Sequence, residues 1–282
     1  MFEKLFSPIR IRGMELKNRI ILPAMGTKFS GNASFVTDQL IDYHVARAKG
    51  GSGLNIVEVS SVHTPSAPRG FLSISDDMYI PGMTKLTEAI HEAGGKAGIQ
   101  LWQGSLCVGM DQTAVLLVAD DMPVSEEMTL PGMTVEEIKE IVECYGAAAK
   151  RAVKAGFDCV EIHMAHNYLP HSFLSGGINT RKDEYGGSFE NRARFPLEII
   201  RAVRENLPDS MPIFMRIGAH DDYLENRMTI EEVIEFSKMA KEAGVDVLDI
   251  SRGNVISAGM KYEVPPVDIP CGFNIDNASR IR

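Results

Sequence analysis

Residues 153–163 read VKAGFDCVEIH, and the same phrase recurs as HEAGGKAGIQL at 91–101 and as KEAGVDVLDIS at 241–251. Each time, a polar stretch with apolar residues at helical spacing stops at Ala-Gly and an apolar stretch begins within a few residues. Glycine supplies the left-handed backbone that ends a helix, so Gly94, Gly156 and Gly244 read as helix stops, with Gly50 or Gly51 doing the same after a helix over 38–49. The pattern predicts strands over 20–23, 54–59, 96–101, 159–164, 213–217 and 247–251, with further helices over 80–92, 135–154, 189–205 and 230–242. Thr134 with Glu137, and Thr229 with Glu232, have capping-box spacing at two helix starts. Strand alternating with helix dictates a parallel sheet covered by helices.

Six such units are visible, whereas a closed barrel of this type has eight. The ending ASRIR reads as the start of a helix after the sixth strand. The expected fold is therefore α/β: a TIM (β/α)8 barrel truncated after the sixth strand–helix unit, with 1–282 as one domain. An open doubly wound sheet would ask for a glycine-rich turn such as GxGxxG after an early strand; the GG pairs at Gly50, Gly94, Gly176 and Gly186 lack that spacing.

A chain of 282 residues, 44% of them hydrophobic, is long enough for a sizeable core. Lys and Arg number 29 against 38 Asp and Glu, a formal charge of −9, and without a basic stripe this argues against a nucleic-acid partner. Charges are scattered through MFEKLFSPIRIRGMELKNRI, so neither a signal peptide nor a membrane span is read there, and a cytoplasmic location is expected. Cys107, Cys144, Cys159 and Cys271 form no CxxC pair, so spacing spells out neither a zinc nor an iron–sulphur site, and Cys144 and Cys159 read as buried thiols.

Alternation puts Glu161 and His163 on one face of their strand, opposite Val160, Ile162 and Met164. His166, Tyr168 and His171 follow in the loop. On other strands Gln100 shares a face with Gly98 and Trp102, Arg216 with Phe214 and Gly218, and Asp249 with Ser251. If those faces point inward, Gln100, His163, Arg216 and Ser251 converge on the carboxyl mouth of a barrel. Taken singly each has a local explanation: Arg216 could pair with Glu161 or Asp249, and Gln100 could satisfy a backbone group. Four strands sharing the pattern favour a site. An arginine and a glutamine can recognise a planar heterocycle and steady the negative charge of its reduced form. Two histidines can hold a carbonyl oxygen while a tyrosine protonates carbon, which suits hydride transfer. The rival is a metal-dependent barrel hydrolase with Glu161, His163 and His166 as ligands, but IILPAM at 20–25 lacks the histidines such barrels carry on their first strand.

The stretches LFSPIRIRGMELKNRIILPAM, GIQLW, EIHMAHNYLPHSFLS and NTRKDEYGGSFENRARF closely resemble the NADH:flavin oxidoreductase family of old yellow enzyme, over essentially the whole chain. HxxHxYL and RxDEYGGSxENR are the specific elements. Within the family the chain is most similar to the branch of 2,4-dienoyl-CoA reductase and the bile-acid-inducible reductase of 3-oxo-4-ene steroids (cholenoate); YLPH, SRGN, and YEVPP with GFNI point to the latter.

The resemblance implies a TIM barrel with FMN over its mouth and NADH or NADPH as reductant. Pro23, Ala24, Met25, Gly26 and Val59 match flavin contacts, Gln100 the residue on the pyrimidine edge, and Arg216 the one near N1 and O2. His163 and His166 match the pair that holds the substrate carbonyl, and Tyr168 the proton donor. The implied reaction reduces the activated C=C bond of an enone or enoyl small molecule, with no resident metal. A homo-oligomer is compatible with it. QLWQGSL departs from the family's QLxHxGR by placing Gln103 and Leu106 where a histidine and an arginine stand. SRGNVISAGMKYE lacks the dienoyl-CoA branch's further catalytic histidine, which leaves Tyr168 without that partner. In the family, loops after strands seven and eight hold the FMN phosphate, and longer relatives add a 4Fe–4S segment and an FAD/NAD-binding region. None of these is read here, so the alternative is an incomplete fragment with little flavin binding or activity.

Overall fold

A computed structural model describes residues 2–104, 114–123, 125–256 and 259–282. Leu106, Cys107 and Met110 lie outside these described residues. The chain begins with α1 (Glu3–Phe6), a hairpin of β1 (Ile9–Ile11) and β2 (Met14–Leu16), then β3 (Ile21–Leu22), α2 (Asp38–Lys49), β4 (Leu54–Ser61), β5 (Leu72–Ser73), α3 (Ile80–Glu92) and β6 (Lys96–Trp102). There follow a small hairpin of β7 (Met122–Pro123) and β8 (Thr129–Leu130), then α4 (Val135–Lys154), β9 (Cys159–Met164), α5 (Leu169–Leu174), α6 (Phe189–Glu205), β10 (Ile213–Gly218), α7 (Ile230–Ala243), β11 (Val247–Ser251), α8 (Met260–Glu263) and α9 (Ile275–Ile281).

The main sheet runs β3–β4–β6–β9–β10–β11, all parallel, with β5 appended to β4. Strand order follows chain order without the reversal that defines a doubly wound sheet. This is the wall of an α/β barrel. Its six strands and five long helices fall within two residues of the bounds read from the pattern. The repeated glycines explain that agreement: Gly94, Gly156 and Gly244 take φ of 82°, 85° and 119°, and of the first pair it is Gly51, at 111°, that turns left-handed. Both capping boxes form, with Glu137 N donating to Thr134 Oγ1 and Glu232 N to Thr229 Oγ1 at 3.2 Å. Among the described residues, no helix is long and apolar enough to cross a membrane.

The two faces of the sheet have different fates. Outward side chains such as Val57, Ile99, Leu101, Val160, Ile162, Met215 and Ile217 pack under the helices against Leu40, Leu86, Ile90, Ile141, Ile199 and Phe236, forming the large core. At its amino-terminal end the inward face is apolar, where Leu54, Ile56, Cys159 and Phe214 meet Met14 and Leu16 of the β1–β2 hairpin. That hairpin, which no periodicity announced, is the floor of the barrel. Above the floor Gln100, Glu161, His163, Arg216 and Asp249 make the inward face polar, so the site lies toward the strand ends.

One close approach sets the spacing of two central strands. Gly98 stands in register with Cys159, and a Cβ on Gly98 would lie 2.7 Å from the Cys159 sulphur. Gly98→Ala is therefore expected to destabilise the fold by about 1–3 kcal/mol through overpacking. In a Cys159→Ala background the same change should cost clearly less. Urea midpoints of the four proteins in this cycle check it, and equal penalties in both backgrounds would refute the contact.

Candidate active site

Strand register stacks the inward polar residues in rows. Gln100 lies beside Glu161, and one row further along His163 lies beside Arg216, which lies beside Asp249. In the lower row Gln100 Nε2 donates to Glu161 Oε1 at 2.7 Å, and Glu161 is wholly buried. Burial, then the negative charge of Asp249, push the Glu161 carboxyl up to about 8, against Arg216 and the Gln100 hydrogen bond. In the upper row Arg216 Nη1 is 3.6 Å from Asp249 Oδ2 and donates to the Ala24 carbonyl at 3.3 Å, while Nη2 reaches Ser251 Oγ at 3.4 Å. Of the two acids that could pair with Arg216, Asp249 is thus the one in contact. The guanidinium Nε, Glu161 Oε2 and Asp249 Oδ2 are buried without a hydrogen bond.

Beyond β9 the backbone makes a turn that sequence pattern alone does not reveal. His166 and Asn167 both sit at φ of 61°, the left-handed region that L residues enter at a cost of roughly 1–2 kcal/mol each. Several bonds hold it there. Asn167 N donates to His171 Nδ1 at 3.0 Å, Ser172 Oγ donates to the Asn167 carbonyl at 2.7 Å, and Val255 N donates to the His166 carbonyl at 3.2 Å. His171 Nε2 in turn lies 2.9 Å from Asp221 Oδ1, off the straight line of a strong hydrogen bond, with both side chains fully buried. Burial alone would raise the Asp221 carboxyl, but His171 and donors from Ser175 and Met228 hold it below the usual range. His171 is thereby a brace for the turn.

The turn folds His166 back over His163. Their ring centroids are 5.0 Å apart, Tyr168 stands edge-on to His163 at 4.7 Å, and Trp102 stands edge-on to Tyr168 at 5.3 Å. The residues matched to substrate holding and proton donation are therefore one cluster. Burial first, and then neighbouring positive groups including Arg216, push both His163 and His166 well below the ordinary imidazole value, so both are neutral near pH 7. Ala165 N donates to His163 Nδ1 at 3.3 Å, which leaves Nε2 as the protonated, donating nitrogen. His166 Nε2 meets Ser251 Oγ at 2.7 Å. Neutral imidazoles can polarise a carbonyl without competing for the proton that the tyrosine delivers.

The loop after β3 forms the open side. Met25 is 63% exposed, Pro23 and Gly26 are exposed, and Ala24 is half-buried above Arg216. The loop is anchored from below by Glu58, which accepts from Thr27 N at 2.6 Å and from its hydroxyl. Glu58 is a residue that strand patterning missed, because the register of β4 slips between Val57 and Ser60 and breaks the alternation there. Val59 lies within that irregularity, half-buried. Gln103 is buried and donates to Ser66 Oγ at 2.6 Å, so it serves the scaffold. Tyr168, which lacks the histidine partner of the dienoyl-CoA branch, donates instead to Glu263 Oε1 at 3.3 Å. Glu263 lies in α8, a single turn too short to leave a helical period in the sequence. Among the described residues no three His, Cys, Asp or Glu side chains are placed to hold a metal ion.

Residues 4–270 match the NADH:flavin oxidoreductase / NADH oxidase family. An NADH oxidase of Thermoanaerobacter brockii is 40% identical over 286 aligned residues, covering 100% of this chain and 44% of the relative. An NADPH dehydrogenase of Bacillus subtilis is 39% identical over 290 residues, covering 100% of this chain and 81% of the relative. Among solved structures, a 2-naphthoyl-CoA reductase complex with 2-naphthoyl-CoA superposes with a TM-score of 0.87 at 28% identity, over 100% of this chain and 45% of that one. Morphinone reductase in complex with tetrahydroNAD gives 0.78 at 26% identity, over 98% and 77%. The chain thus spans less than half of the NADH oxidase and of the 2-naphthoyl-CoA reductase.

The buried Glu161 carries a pH signature. Its folded value, about 8, lies above the ordinary 4.5, so between these values the folded chain holds a proton that the unfolded chain has released. Its contribution to stability is full below 4.5 and is lost as pH rises toward 8. His163 and His166, neutral when folded, act the other way below about 6.5, and comparison with Glu161→Gln cancels them. On going from pH 5 to pH 8 the parent should lose stability relative to Glu161→Gln, which keeps the Gln100 bond but not the titration. Urea midpoints of the flavin-free proteins across this range decide it, and parallel curves would show that Glu161 is ionised throughout.

Proposed function

Because the chain belongs to the NADH:flavin oxidoreductase / NADH oxidase family, we propose that residues 1–282 supply six strand–helix units of the FMN-binding barrel of an FMN-dependent enzyme. It uses NADH or NADPH to reduce the activated C=C bond of an enone or enoyl compound. The observation that carries this reading is the packing of neutral His163 and His166 against Tyr168, beside the guanidinium of Arg216 at the strand ends.

The residues present fit a flavin. Arg216 keeps a buried Nε with no partner, a donor suited to a ring that gains negative charge on reduction. Exposed Pro23, Met25 and Gly26, with half-buried Ala24 and Val59, offer a largely apolar wall. Gln100 would serve the pyrimidine edge through the part of its amide that Glu161 does not engage. Bound there, FMN would take hydride from NAD(P)H and supply it to the substrate.

The chain's own residues do the rest. His163, donating from Nε2, and His166 hold the substrate's carbonyl oxygen, draw electron density from the alkene and favour attack at its β-carbon. Tyr168 delivers the proton to the α-carbon. Trp102, edge-on to Tyr168, helps to hold the phenol ring in place. Relatives named 2-naphthoyl-CoA reductase and morphinone reductase, with the resemblance of YLPH, SRGN and YEVPP to the bile-acid-inducible branch, favour a fused-ring conjugated carbonyl substrate. A 3-oxo-4-ene steroid or bile acid is the specific member we put forward.

The test is to load the protein with FMN and follow the two half-reactions separately by stopped flow, with 3-oxo-4-ene steroids, enones and enoyl-CoA esters as oxidants. Tyr168→Phe should slow the alkene half-reaction by roughly 100-fold to 10,000-fold while affecting flavin reduction far less. Equal slowing of both halves would mean that the tyrosine is structural. Failure of FMN to bind, or of any conjugated carbonyl to re-oxidise the reduced protein, would overturn the reading.

A further inference from the structure

Tyr168 is only 8% exposed, its ring wedged between Trp102 and His163. A phenol so enclosed that gives up its proton once per turnover needs a route by which the proton returns. The hydroxyl meets Glu263 Oε1 at 3.3 Å, and the same carboxylate oxygen lies 3.5 Å from His166 Nδ1. The Glu263 side chain keeps 18% of its surface in water. It therefore touches the buried phenol at one end and solvent at the other. Among the described residues, the titratable and charged groups facing it are Tyr168, His166 and Arg216. Burial pushes the Glu263 carboxyl up, opposed by the Tyr168 hydrogen bond and by Arg216, so it keeps a proton further toward neutral pH than an exposed glutamate.

We propose that Glu263 returns the proton to Tyr168 from solvent, acting through the tyrosine and not on the substrate. The inference rests on the reading of Tyr168 as proton donor. As the C–H bond forms at the α-carbon, the phenolic O–H bond breaks. The phenolate oxygen then takes the proton of the Glu263 carboxyl, and the carboxylate takes one from water. Nothing is oxidised or reduced in the relay.

The experiment compares the FMN-loaded parent with Glu263→Gln, Glu263→Asp and Tyr168→Phe in the alkene half-reaction across pH. Glu263→Gln should slow it by about tenfold or more and remove a titration step present in the parent's rate profile, which Glu263→Asp should partly restore. A second readout needs no flavin. Beside the protonated-carboxyl infrared band of Glu161, the parent should show a second component that is lost in Glu263→Gln and shifted in Tyr168→Phe, which has lost the hydrogen bond.

If Tyr168→Phe is slow but Glu263→Gln keeps the parent rate and profile, the relay is wrong and the donor reading stands. If Glu263→Gln is slow with its pH profile unchanged, or if the infrared band does not move, Glu263 is only a structural contact and the proposal is overturned. A Tyr168→Phe protein at the parent rate overturns the donor reading and the relay with it.

Discussion

The left-handed turn at His166 and Asn167 is the constraint on which the site depends. A strand that simply ran on would carry His163 and Tyr168 apart at about 3.3 Å per residue, and two residues at positive φ reverse it within one step. The reversal is unfavourable in itself, so the surroundings must over-determine it. They do so from three directions: His171 on Asp221, Ser172 from within α5, and the backbone of Asn254 and Val255 from the segment after β11. The geometry of the histidine pair thus depends on residues far from it in sequence.

The inward face also departs from the packing rules that govern the outward one. Glu161 Oε2, Arg216 Nε and Asp249 Oδ2 are buried without a hydrogen bond, at a cost that a purely structural interior would avoid. Below them the floor is dry and apolar, and outside them the helices cover a continuous hydrophobic core. These three atoms share a belt between floor and mouth, where the low-dielectric walls strengthen every charge on a bound molecule. The same burial that encloses those atoms keeps His163 and His166 neutral.

Much of this was legible from residues alone, and the reasons differ by element. The alternating strands and the Ala-Gly helix stops were readable because a period of two or 3.6 and a positive φ leave direct marks on residue choice. Alternation alone grouped Gln100, His163 and Arg216 with the polar faces of their strands, and the barrel's register then turns those faces inward. What escaped had no such mark. Three-residue strands in the floor hairpin are too short for a period, Glu58 sits where a bulge interrupts one, and Glu263 reaches Tyr168 from a single helical turn 95 residues away. His171 was noticed as polar, but its duty as brace depends on Asp221, 50 positions later by the numbering.

The floor hairpin has a bearing on how the chain assembles. Arg12 at its tip is tied to Asp246, 234 positions along the chain, and Gly13 donates its amide to the Ser210 carbonyl. The hairpin therefore has its docking site in segments translated long after it. Until β10 and β11 have left the ribosome and paired, Met14 and Leu16 have nothing complete to plug, and the apolar lower ends of the early strands stay open. Such long-range closure makes for slow folding and a lasting exposure of sticky surface, so the seal beneath the site is also the step at which an emerging chain is most open to unwanted partners.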